Sequence, residues 1–382
     1  MNDSEAILIA GGGIGGLAAA VSLVQAGYPV AVFERSPDGV TEQGTGLNIW
    51  GNAISALDRV GLAKAVQDAG SVIETMELRA HDGSLLSENP IGEICREVGT
   101  VAVNVRRTDV QRILYEGCDD VVHLGAAAVG YRTDPEGVTL LLESGEEVRG
   151  AAVVGADGVR SAIRSQLLHD GDPRPSGNPV WRGIAEGAGP TDGTVLMVWG
   201  PRGGGAGCWH VDPAHVSWTV GTNSRFEEPS TAGAAKDALL EFVSDFAGPF
   251  QDLIRSTPAE RAAASRVYIR EHADRWGDGR VTLLGDAAHA MPTVLGQGAC
   301  QAIEDGVVLG ESVADAPDVV SGLRRYEQQR QPRVAWVREQ VFKLDRFQKY
   351  ESRMMSRMRN LGVRFAPASK SRQLWKDLMT FR

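Results

Sequence analysis

The sequence predicts an α/β protein in which a parallel-sheet domain is interleaved with a mainly β domain and is followed by C-terminal helices. Three observations predict this arrangement. A short apolar run at residues 7–10 leads into a glycine-rich turn and then a helical stretch. Alternating apolar runs, such as 195–199 and 216–221, favour a sheet in the middle of the chain. From Gln301 onward the apolar spacing is helical.

The glycine-rich turn carries the spacing of a dinucleotide-binding motif. Gly11, Gly13 and Gly16 form G-x-G-x-x-G directly after the first apolar run. The first glycine permits a tight turn, the second lets the backbone approach a pyrophosphate, and the third lets the next helix pack closely. The sequence therefore predicts a Rossmann-type unit at the N-terminus.

The residues that follow complete this unit. A helix is predicted over 17–26, ended by Gly27, and its N-terminus suits a pyrophosphate. Glu34 closes the second predicted strand, 30–33, and is the acid expected to bond ribose hydroxyls. This motif does not distinguish NAD from FAD. The predicted contacts here are Gly11, Gly13, Ile14, Gly15, Gly16, Glu34 and Arg35.

A second glycine-rich segment, about 270 residues later, resembles a motif of a known family. Gly285-Asp286-Ala287-Ala288-His289 is followed by Pro292 and by Gly296-Gln297-Gly298-Ala299. This run resembles the G-D-A-A-H and G-Q-G segment of the class A, single-component FAD monooxygenases. That family of flavoprotein aromatic hydroxylases includes p-hydroxybenzoate and salicylate hydroxylases.

Three more segments resemble motifs of the same family and occur in its order. Residues 155–161 contain its D-G motif at Asp157-Gly158, and Arg164 follows. Residues 107–110 resemble its R-x-x-L motif, with Val110 in place of Leu. Residues 326–333 resemble its Y-E-x-x-R-x-P-R motif. The resemblance extends from about residue 5 to 335.

The resemblance implies an FAD site with specific contacts. Asp286 is implied to accept hydrogen bonds from the ribityl hydroxyls, and Arg107 to contact cofactor oxygens. Asp157 is linked to FAD and the nicotinamide donor, and the alternative is an ordinary Asp-Gly turn. Residues 296–299 are implied to lie against the flavin ring, where a helix N-terminus favours negative charge. The full implied set is Gly46 (in loop 44–49), Arg107, Asp157, Asp286, Gly296, Gln297, Gly298 and Ala299.

The motif order predicts a discontinuous FAD-binding domain formed by residues 1–70, 104–177 and 271–332. Residues 71–103 and 178–270 are predicted to form the substrate-binding sheet domain, and 333–382 a C-terminal helical segment. Within the first domain, Thr108 is the expected N-cap of a helix.

Charge is distributed unevenly along the chain. The formal net charge is −10, while residues 333–382 carry 13 Lys or Arg against 4 Asp or Glu. The remainder, at about −19, argues against nucleic-acid binding by the body. The basic segment also holds apolar residues at helical spacings. Three roles stay open for it: helices packed on the body, a lid or dimer element, or a membrane-surface helix.

Other features restrict the class of protein. The four cysteines lack metal-binding or C-x-x-C spacing, so oxygen chemistry is expected to rest on a flavin. No apolar run reaches the length of a membrane span, and the first strand leaves no room for a signal peptide. We therefore expect a cytoplasmic enzyme, either a monomer or a homodimer.

The resemblance implies an oxygen-insertion reaction. NADH or NADPH would reduce the flavin, and a C4a-hydroperoxyflavin formed with O2 would hydroxylate an aromatic or polycyclic small molecule. Two alternatives remain at this point. One is a flavin-dependent reductase or dehydrogenase on the same fold, as in the geranylgeranyl-reductase branch. The other is a non-catalytic flavoprotein that sequesters a reactive intermediate.

The substrate pocket is expected between the middle sheet and the flavin. Arg202 is a candidate carboxylate clamp or a solvated hairpin residue. His210 is a candidate base or an ordinary sheet histidine. With Pro292, these are the candidate catalytic residues. Trp181-Arg182-Gly183 resembles a W-R-G segment of the salicylate-hydroxylase-like branch. The candidate lining residues are Trp181, Met197, Trp199, Cys208, Trp209 and Trp218.

Overall fold

The computed structural model describes residues 5–39, 45–177, 179–227 and 231–381, and Gly44 of the predicted flavin loop lies outside them. Within these ranges the strands are β1 Ile7–Ala10, β2 Val30–Glu34, β3 Gly46–Ile49, β4 Ser71–Val72, β5 Thr75–Ala80, β6 Leu85–Asn89, β7 Val103–Arg106, β8 Val122–Leu124, β9 Ala128–Thr133, β10 Val138–Leu142, β11 Glu147–Gly150, β12 Ala152–Gly155, β13 Arg174–Pro175, β14 Val180–Glu186, β15 Thr194–Trp199, β16 Gly205–Asp212, β17 His215–Gly221, β18 Ala263–Ser265, β19 Tyr268–Ile269, β20 Gly277–Asp278 and β21 Val281–Leu283.

The helices of the same ranges are α1 Ile14–Gln25, α2 Gly51–Arg59, α3 Ala63–Asp68, α4 Ile91–Glu97, α5 Arg107–Glu116, α6 Ala162–Leu168, α7 Ala232–Phe242, α8 Phe250–Ser256, α9 Asp286–His289, α10 Gln297–Ala314, α11 Val319–Gln348, α12 Arg353–Arg364 and α13 Ala368–Met379. The predicted α/β class with C-terminal helices is confirmed.

The first main sheet has the strand order β20-β21-β12-β1-β2-β8. Its strands are parallel except for β20, which pairs antiparallel with β21. Ala10, Gly155 and Leu283 lie at the carboxyl ends of three adjacent strands and are in register with one another. Ligands of open parallel sheets bind outside the carboxyl ends of the strands. Three motifs that are far apart in the sequence therefore leave the sheet at one edge.

The second main sheet has seven strands in the order β18-β14-β17-β16-β15-β5-β6. It is antiparallel apart from the pairing of β15 with β5. This sheet unites strands from both segments assigned to the substrate domain, although the domain limits themselves stay predictions. One face packs against α7 and α8 in a separate apolar cluster. The opposite face is directed towards the first domain and α11.

Helices α1 and α10 pack closely beside the first sheet. A Cβ added at Gly306 of α10 would lie 2.5 Å from the backbone nitrogen of Ala19 in α1. Protein interiors tolerate no such overlap, so the glycine sets the separation of the two helices. The C-terminal segment also packs on the body at α13, where the rings of Trp375 and Trp50 are 4.9 Å apart.

Two helix starts differ from those predicted. Helix α1 begins at Ile14, so Gly15 and the third glycine of the motif, Gly16, lie inside its first turn. Helix α5 begins at Arg107, and its N-cap is Arg106, which makes no side-chain cap hydrogen bond. The prediction of Thr108 as N-cap is wrong because β7 ends at Arg106 and turns directly into the helix.

Replacing Gly306 with Ala should destabilise the protein by about 1–3 kcal/mol, because the new methyl group overpacks the contact between α1 and α10. Urea unfolding of the purified protein measures this loss. The control is Gly362→Ala in α12, where nothing lies within 4 Å of the added Cβ. The control should gain up to about 1 kcal/mol from helix propensity. Equal stability of the two variants would contradict the close packing.

Candidate cofactor and substrate site

The G-x-G-x-x-G turn forms a cradle that has room only for backbone. Gly11 has a φ of +108°, and a Cβ there would overlap the carbonyl oxygen of Ala156. A Cβ at Gly16 would overlap the carbonyl oxygen of Gly11. Nothing lies within 4 Å of a Cβ at Gly13, which is the N-cap of α1. The turn is therefore tight on its protein side and open on its outer side.

The N-terminus of α1 is suited to an anion. Its cap makes no side-chain hydrogen bond, and its first turn contains no acidic residue. The backbone N–H groups of a first helical turn have no partner within the helix. Together with the helix dipole they favour a phosphate at this position. The geometry fits the predicted role of Gly11 to Gly16 in holding a pyrophosphate.

Glu34 lies at the end of β2, beside this cradle. Its carboxylate accepts hydrogen bonds from the backbone nitrogens of Gly12, at 2.7 Å, and Ser36, at 2.8 Å. Gln111 holds the same loop by donating to the carbonyl oxygens of Gly12 and Gly39. Glu34 therefore shapes the loop, and its bond to a ribose stays a prediction, as does the contact of Arg35.

Asp286 projects from an otherwise buried segment. Every residue from Val281 to Pro292 is buried except Asp286, whose side chain is exposed at the carboxyl edge of the first sheet. The surrounding protein raises the pKa of its carboxyl group, and the charges of His289 and Arg107 oppose that rise. An exposed carboxylate held by a rigid segment is a suitable acceptor for ribityl hydroxyls.

Residues 296–299 form a second uncapped helix N-terminus. Gly296 has a φ of +63° and is the N-cap of α10, whose first turn contains no acidic residue. A Cβ at Gly298 would have nothing within 4 Å. Among the described residues, Gln297 Nε2 and Asn52 Oδ1 are buried without a hydrogen-bond partner. These orphaned polar atoms and the open backbone fit the polar edge of a flavin ring.

Asp157 has a structural role as well as a free oxygen. Its Oδ2 accepts hydrogen bonds from the backbone nitrogens of Ala162, at 2.7 Å, and Ile163, at 3.3 Å, and so caps α6. Its Oδ1 is buried without a partner among the described residues, and burial raises the pKa of the carboxyl group. The turn role is therefore present, and the cofactor role of Asp157 stays a prediction.

Two arginines face the cleft between the two sheets. Arg107 begins α5, and its charge acts on both Asp286 and Arg182. Burial, followed by the like charge of Arg107, lowers the pKa of Arg182. Arg182 donates a hydrogen bond to Ser265. Arg182 is not among the site residues predicted from the sequence, although it lies in the W-R-G segment and follows the buried Trp181.

A buried ionic network fixes the segment that carries Asp286. Arg330 of α11 forms ion pairs with Glu304 and with Asp305, at 2.7 Å for the latter, and all three side chains are fully buried. The other oxygen of Asp305 contacts His289 Nε2 at 2.6 Å and accepts from the backbone nitrogen of Gly285 at 3.0 Å. Desolvation raises the pKa of Asp305, but His289 and Arg330 outweigh it and hold that pKa below its usual value.

Two further buried arginines bind the same segment through its carbonyl oxygens. Arg164, which follows the D-G motif, donates to Ala287 at 2.9 Å and Ala288 at 2.7 Å. Arg338 donates to His289 at 3.0 Å and Ala290 at 2.9 Å. Arg164 and Arg338 thus hold the backbone of the segment that carries Asp286.

The inner face of the second sheet offers one open row of side chains. We call it the open row: Arg182, Thr219, Gly207, Met197 and Leu78, which pair directly across β14, β17, β16, β15 and β5. All except Gly207 are partly exposed. Among the predicted lining residues, Met197 lies in this row.

The rows on either side are covered. Trp209 pairs with Ser217, whose hydroxyl accepts from the backbone nitrogen of Gly46 at 3.1 Å, and Trp209 belongs to the core of the first domain. Trp199 is covered by Arg359 of α12, whose guanidinium carbon lies 4.5 Å from the ring centre. Both tryptophans therefore lie on the inner face beside the open row, and neither belongs to the row itself.

Three predicted lining residues lie on the wrong face. Trp181, Cys208 and Trp218 point to the outer side of the sheet, where they pack in the cluster with α7 and α8. Adjacent residues of a strand face opposite sides, so Trp181 is buried there while Arg182 faces the cleft. The prediction that these three line the substrate pocket is therefore corrected.

None of the candidate catalytic residues belongs to the open row. His210 Nε2 lies 3.1 Å from the carbonyl oxygen of Pro190, on the outer side of the sheet, so it is not placed as a base. Arg202 lies at the β15–β16 hairpin, where the charges of Arg353 and Arg225 lower its pKa. Pro292 is buried at the end of the Asp286 segment, and its catalytic role stays a prediction.

Comparisons with known proteins agree with this geometry. A family model described as an FAD binding domain matches residues 4–341. Aurachin C monooxygenase/isomerase of Stigmatella aurantiaca is 35% identical over 330 residues, covering 86% of this chain and 85% of that protein. 3-Hydroxybenzoate 6-hydroxylase of Polaromonas naphthalenivorans is 32% identical over 359 residues, covering 88% and 86%.

A solved structure shows the same fold. Klebsiella pneumoniae HpxO complexed with FAD and uric acid matches with a TM-score of 0.90 and 24% identity, covering 98% of this chain and 96% of that one. Within the described ranges, no group of three or more His, Cys, Asp or Glu could hold a metal ion. No described helix is long and apolar enough to cross a membrane.

Replacing Asp286 with Ala should empty the cofactor site, because the cleft loses the only exposed carboxylate of that segment. The visible flavin spectrum of the purified protein, with released FAD quantified, measures occupancy. The control is Asp237→Ala, an exposed carboxylate on α7, which should retain full occupancy. A fully yellow Asp286→Ala protein would contradict the ribityl assignment.

Replacing Asp305 with Asn should destabilise the protein by about 3–5 kcal/mol, because the buried charge of Arg330 loses one partner. The native pKa of Asp305 is lowered, so its contribution is present above its ordinary value near 3.8 and is lost as the pH falls below it. Urea unfolding at neutral and acidic pH should therefore show less acid sensitivity in the variant. Unchanged stability at neutral pH would contradict the role of the network.

Proposed function

The chain belongs to the FAD-binding family of class A flavoprotein aromatic hydroxylases, and we propose that it hydroxylates a flat aromatic substrate bound on the open row. It is an FAD-dependent monooxygenase, with NAD(P)H as electron donor. The relatives are named monooxygenases and hydroxylases, which supports oxygen insertion over the reductase and sequestering alternatives.

The residues of the cleft fit FAD at three points. The open glycine cradle and the uncapped α1 terminus would hold the pyrophosphate, and Asp286 the ribityl chain. The α10 terminus with Gln297 would hold the ring edge. When bound, FAD supplies the redox chemistry: it takes a hydride from NAD(P)H and activates O2 for transfer of one oxygen atom.

The protein's electrostatic contribution centres on the N-terminus of α10. A helix N-terminus carries about half a positive elementary charge, and here no acidic residue in the first turn opposes it. Negative charge that develops at the adjoining edge of the ring would be stabilised without rearrangement of the protein. Gln297 Nε2 would donate a hydrogen bond at the same place.

The open row supports a flat substrate with an acidic oxygen. Gly207 has no side chain of its own, and the side chain of Met197 lies over it. Met197 and Leu78 therefore provide an apolar surface at one end of the row. At the other end Arg182 provides a half-buried positive charge. An aromatic ring that bears a phenolate or carboxylate matches this arrangement of an apolar floor beside one cation.

The covered rows on each side would also limit the access of water to the open row. Trp209 and Trp199 are both buried and confine the row between the first domain and α12. Walls of this kind exclude water from the place where oxygen transfer occurs, which limits wasteful loss of the activated oxygen. No side-chain nucleophile is required, so the positions of His210 and Arg202 are compatible with the reaction.

The single observation that carries the proposal is that Arg182 lies at one end of the open row while Met197 and Leu78 form an apolar surface at the other end. The test measures NAD(P)H oxidation and O2 uptake by the FAD-loaded enzyme with phenolic, carboxylated and uncharged fused-ring aromatics. Acidic aromatics should stimulate both rates and return with one added oxygen. Stimulation by uncharged rings alone would overturn the assignment of Arg182, and NAD(P)H oxidation without oxygen insertion would favour the reductase alternative.

Replacing Arg182 with Met should lower kcat/KM for an acidic aromatic substrate by about 10- to 150-fold, the loss typical of a hydrogen bond to a charged group. Arg182→Lys should retain part of the activity because the charge remains. The matched control is Trp181→Phe, the neighbouring residue on the outer face, which should change thermal stability more than kcat/KM. Steady-state kinetics with FAD occupancy held equal makes the comparison, and an unaffected Arg182→Met enzyme would contradict the proposal.

A further inference from the structure

Exposed apolar side chains are concentrated at one place on this protein. Among the described residues, eleven large apolar side chains are exposed, and six of them lie between 347 and 365. The six are Phe347, Met354, Met355, Met358, Leu361 and Phe365. Phe347 lies at the end of α11, and the other five lie on α12 or directly after it. Scattered exposed apolar residues are ordinary, but a group concentrated on one short helix marks an interaction surface.

Four of the exposed residues form one stripe along α12 and the residue that follows it. Met354, Met358, Leu361 and the following Phe365 are spaced i, i+4, i+7 and i+11, so they share one side of the helix. Three arginines with a similar spacing, Arg353, Arg357 and Arg364, run along the neighbouring side. We call these two stripes together the α12 face.

The α12 face is exposed because the helix packs on the rest of the protein through its opposite side. The guanidinium of Arg359 stacks over Trp199 and donates to the carbonyl oxygens of Phe347, at 3.2 Å, and Gly200, at 3.3 Å. Val363 packs on the apolar cluster that contains Trp199. The inner side of α12 is therefore packed on the protein through Arg359 and Val363. The apolar stripe on its outer side has no place in the core in this arrangement.

The charge around this face is strongly positive. Residues 346–364 contain six Lys or Arg and one acidic residue, Glu351. That carboxylate is already occupied by the backbone nitrogen and hydroxyl of Ser224. Arg353 and Arg225 both lie close enough to Arg202 for their like charges to act on it. The cationic stripe therefore extends from α12 onto the adjoining hairpin and loop, on a protein whose net charge is −10.

We propose that the α12 face docks this protein on the surface of an anionic phospholipid bilayer. The helix would lie parallel to the surface, with Met358, Leu361 and Phe365 at the boundary between headgroups and acyl chains. Arg353, Arg357 and Arg364 would contact lipid phosphates. The long arginine side chains allow their charged ends to remain with the headgroups while the apolar stripe is buried.

Charge favours a bilayer over a second copy of this chain. A two-fold interface would place each stripe against its own copy, so the arginines of the two protomers would face one another. Anionic headgroups instead neutralise the arginine stripe, and fluid acyl chains accommodate the unbranched Met side chains. Self-association is therefore an outcome that the test must be able to detect.

The test uses the full-length enzyme with bound FAD and vesicle co-sedimentation. Vesicles of phosphatidylcholine mixed with phosphatidylglycerol should bind the protein, while phosphatidylcholine alone should bind it far more weakly. Salt at 1 M shortens the Debye length to about 3 Å, so binding should fall steeply there. Equal binding to both vesicle types, or none to either, would overturn the proposal.

Paired variants separate the two stripes. Met358→Glu with Leu361→Glu should weaken vesicle binding by about tenfold or more, because buried apolar area drives interfacial binding. Arg353→Gln with Arg357→Gln should weaken it by about fivefold for each charge removed. The matched control is Val72→Glu with Val129→Glu, two apolar residues exposed elsewhere, which should bind like the original protein.

Folding and self-association are measured on the same samples. FAD occupancy and the circular dichroism spectrum should be unchanged in every variant, since none of these side chains belongs to the cleft. Light scattering reports the oligomeric state. A dimer that the Met358→Glu, Leu361→Glu variant dissociates, without vesicle binding by the original protein, would assign the α12 face to a second copy and overturn the membrane proposal.

Discussion

The buried contact between Arg330 and the adjacent carboxylates of α10 is the interaction on which the site depends. Glu304 and Asp305 fix the guanidinium from one side, and Asp305 uses its second oxygen to hold Gly285 and His289. One side chain thereby joins α10, α11 and the loop that carries Asp286. A buried charge without a partner is very costly, so these elements keep one relative position or the fold loses several kcal/mol.

This constraint explains why so many polar residues of the family motifs lie away from the cleft. Arg164 and Arg338 bind carbonyl oxygens of the Asp286 segment, and Asp157 caps a helix. These three side chains hold backbone in place, and the groups left to face the cofactor are backbone N–H groups, a few amides, Arg107 and the exposed carboxylate of Asp286. Such a site suits a reaction in which the cofactor supplies the chemistry and the protein supplies position.

The two faces of the second sheet have different roles. The outer face is an ordinary apolar core against α7 and α8. The inner face is covered along two rows and left open along one, which contains Arg182 and Met197. The C-terminal segment contributes to both the site and the surface, since Arg359 covers Trp199 from the inner side of α12 while the outer side of that helix remains exposed.

The dinucleotide cradle and the C-terminal helices could be predicted from the sequence because they follow from the local spacing of glycines, acids and apolar residues. The choice of FAD rested instead on the resemblance of several segments to motifs of a known family. That resemblance also singled out Asp286, which the structure leaves exposed at the sheet edge. Which face of each strand lies towards the cleft could not be predicted from the sequence and is known only from the tertiary structure. Trp181 and Arg182 are neighbours in the sequence, but the pleat sends them to opposite sides, and only the packing of α7 and α8 shows which side is buried.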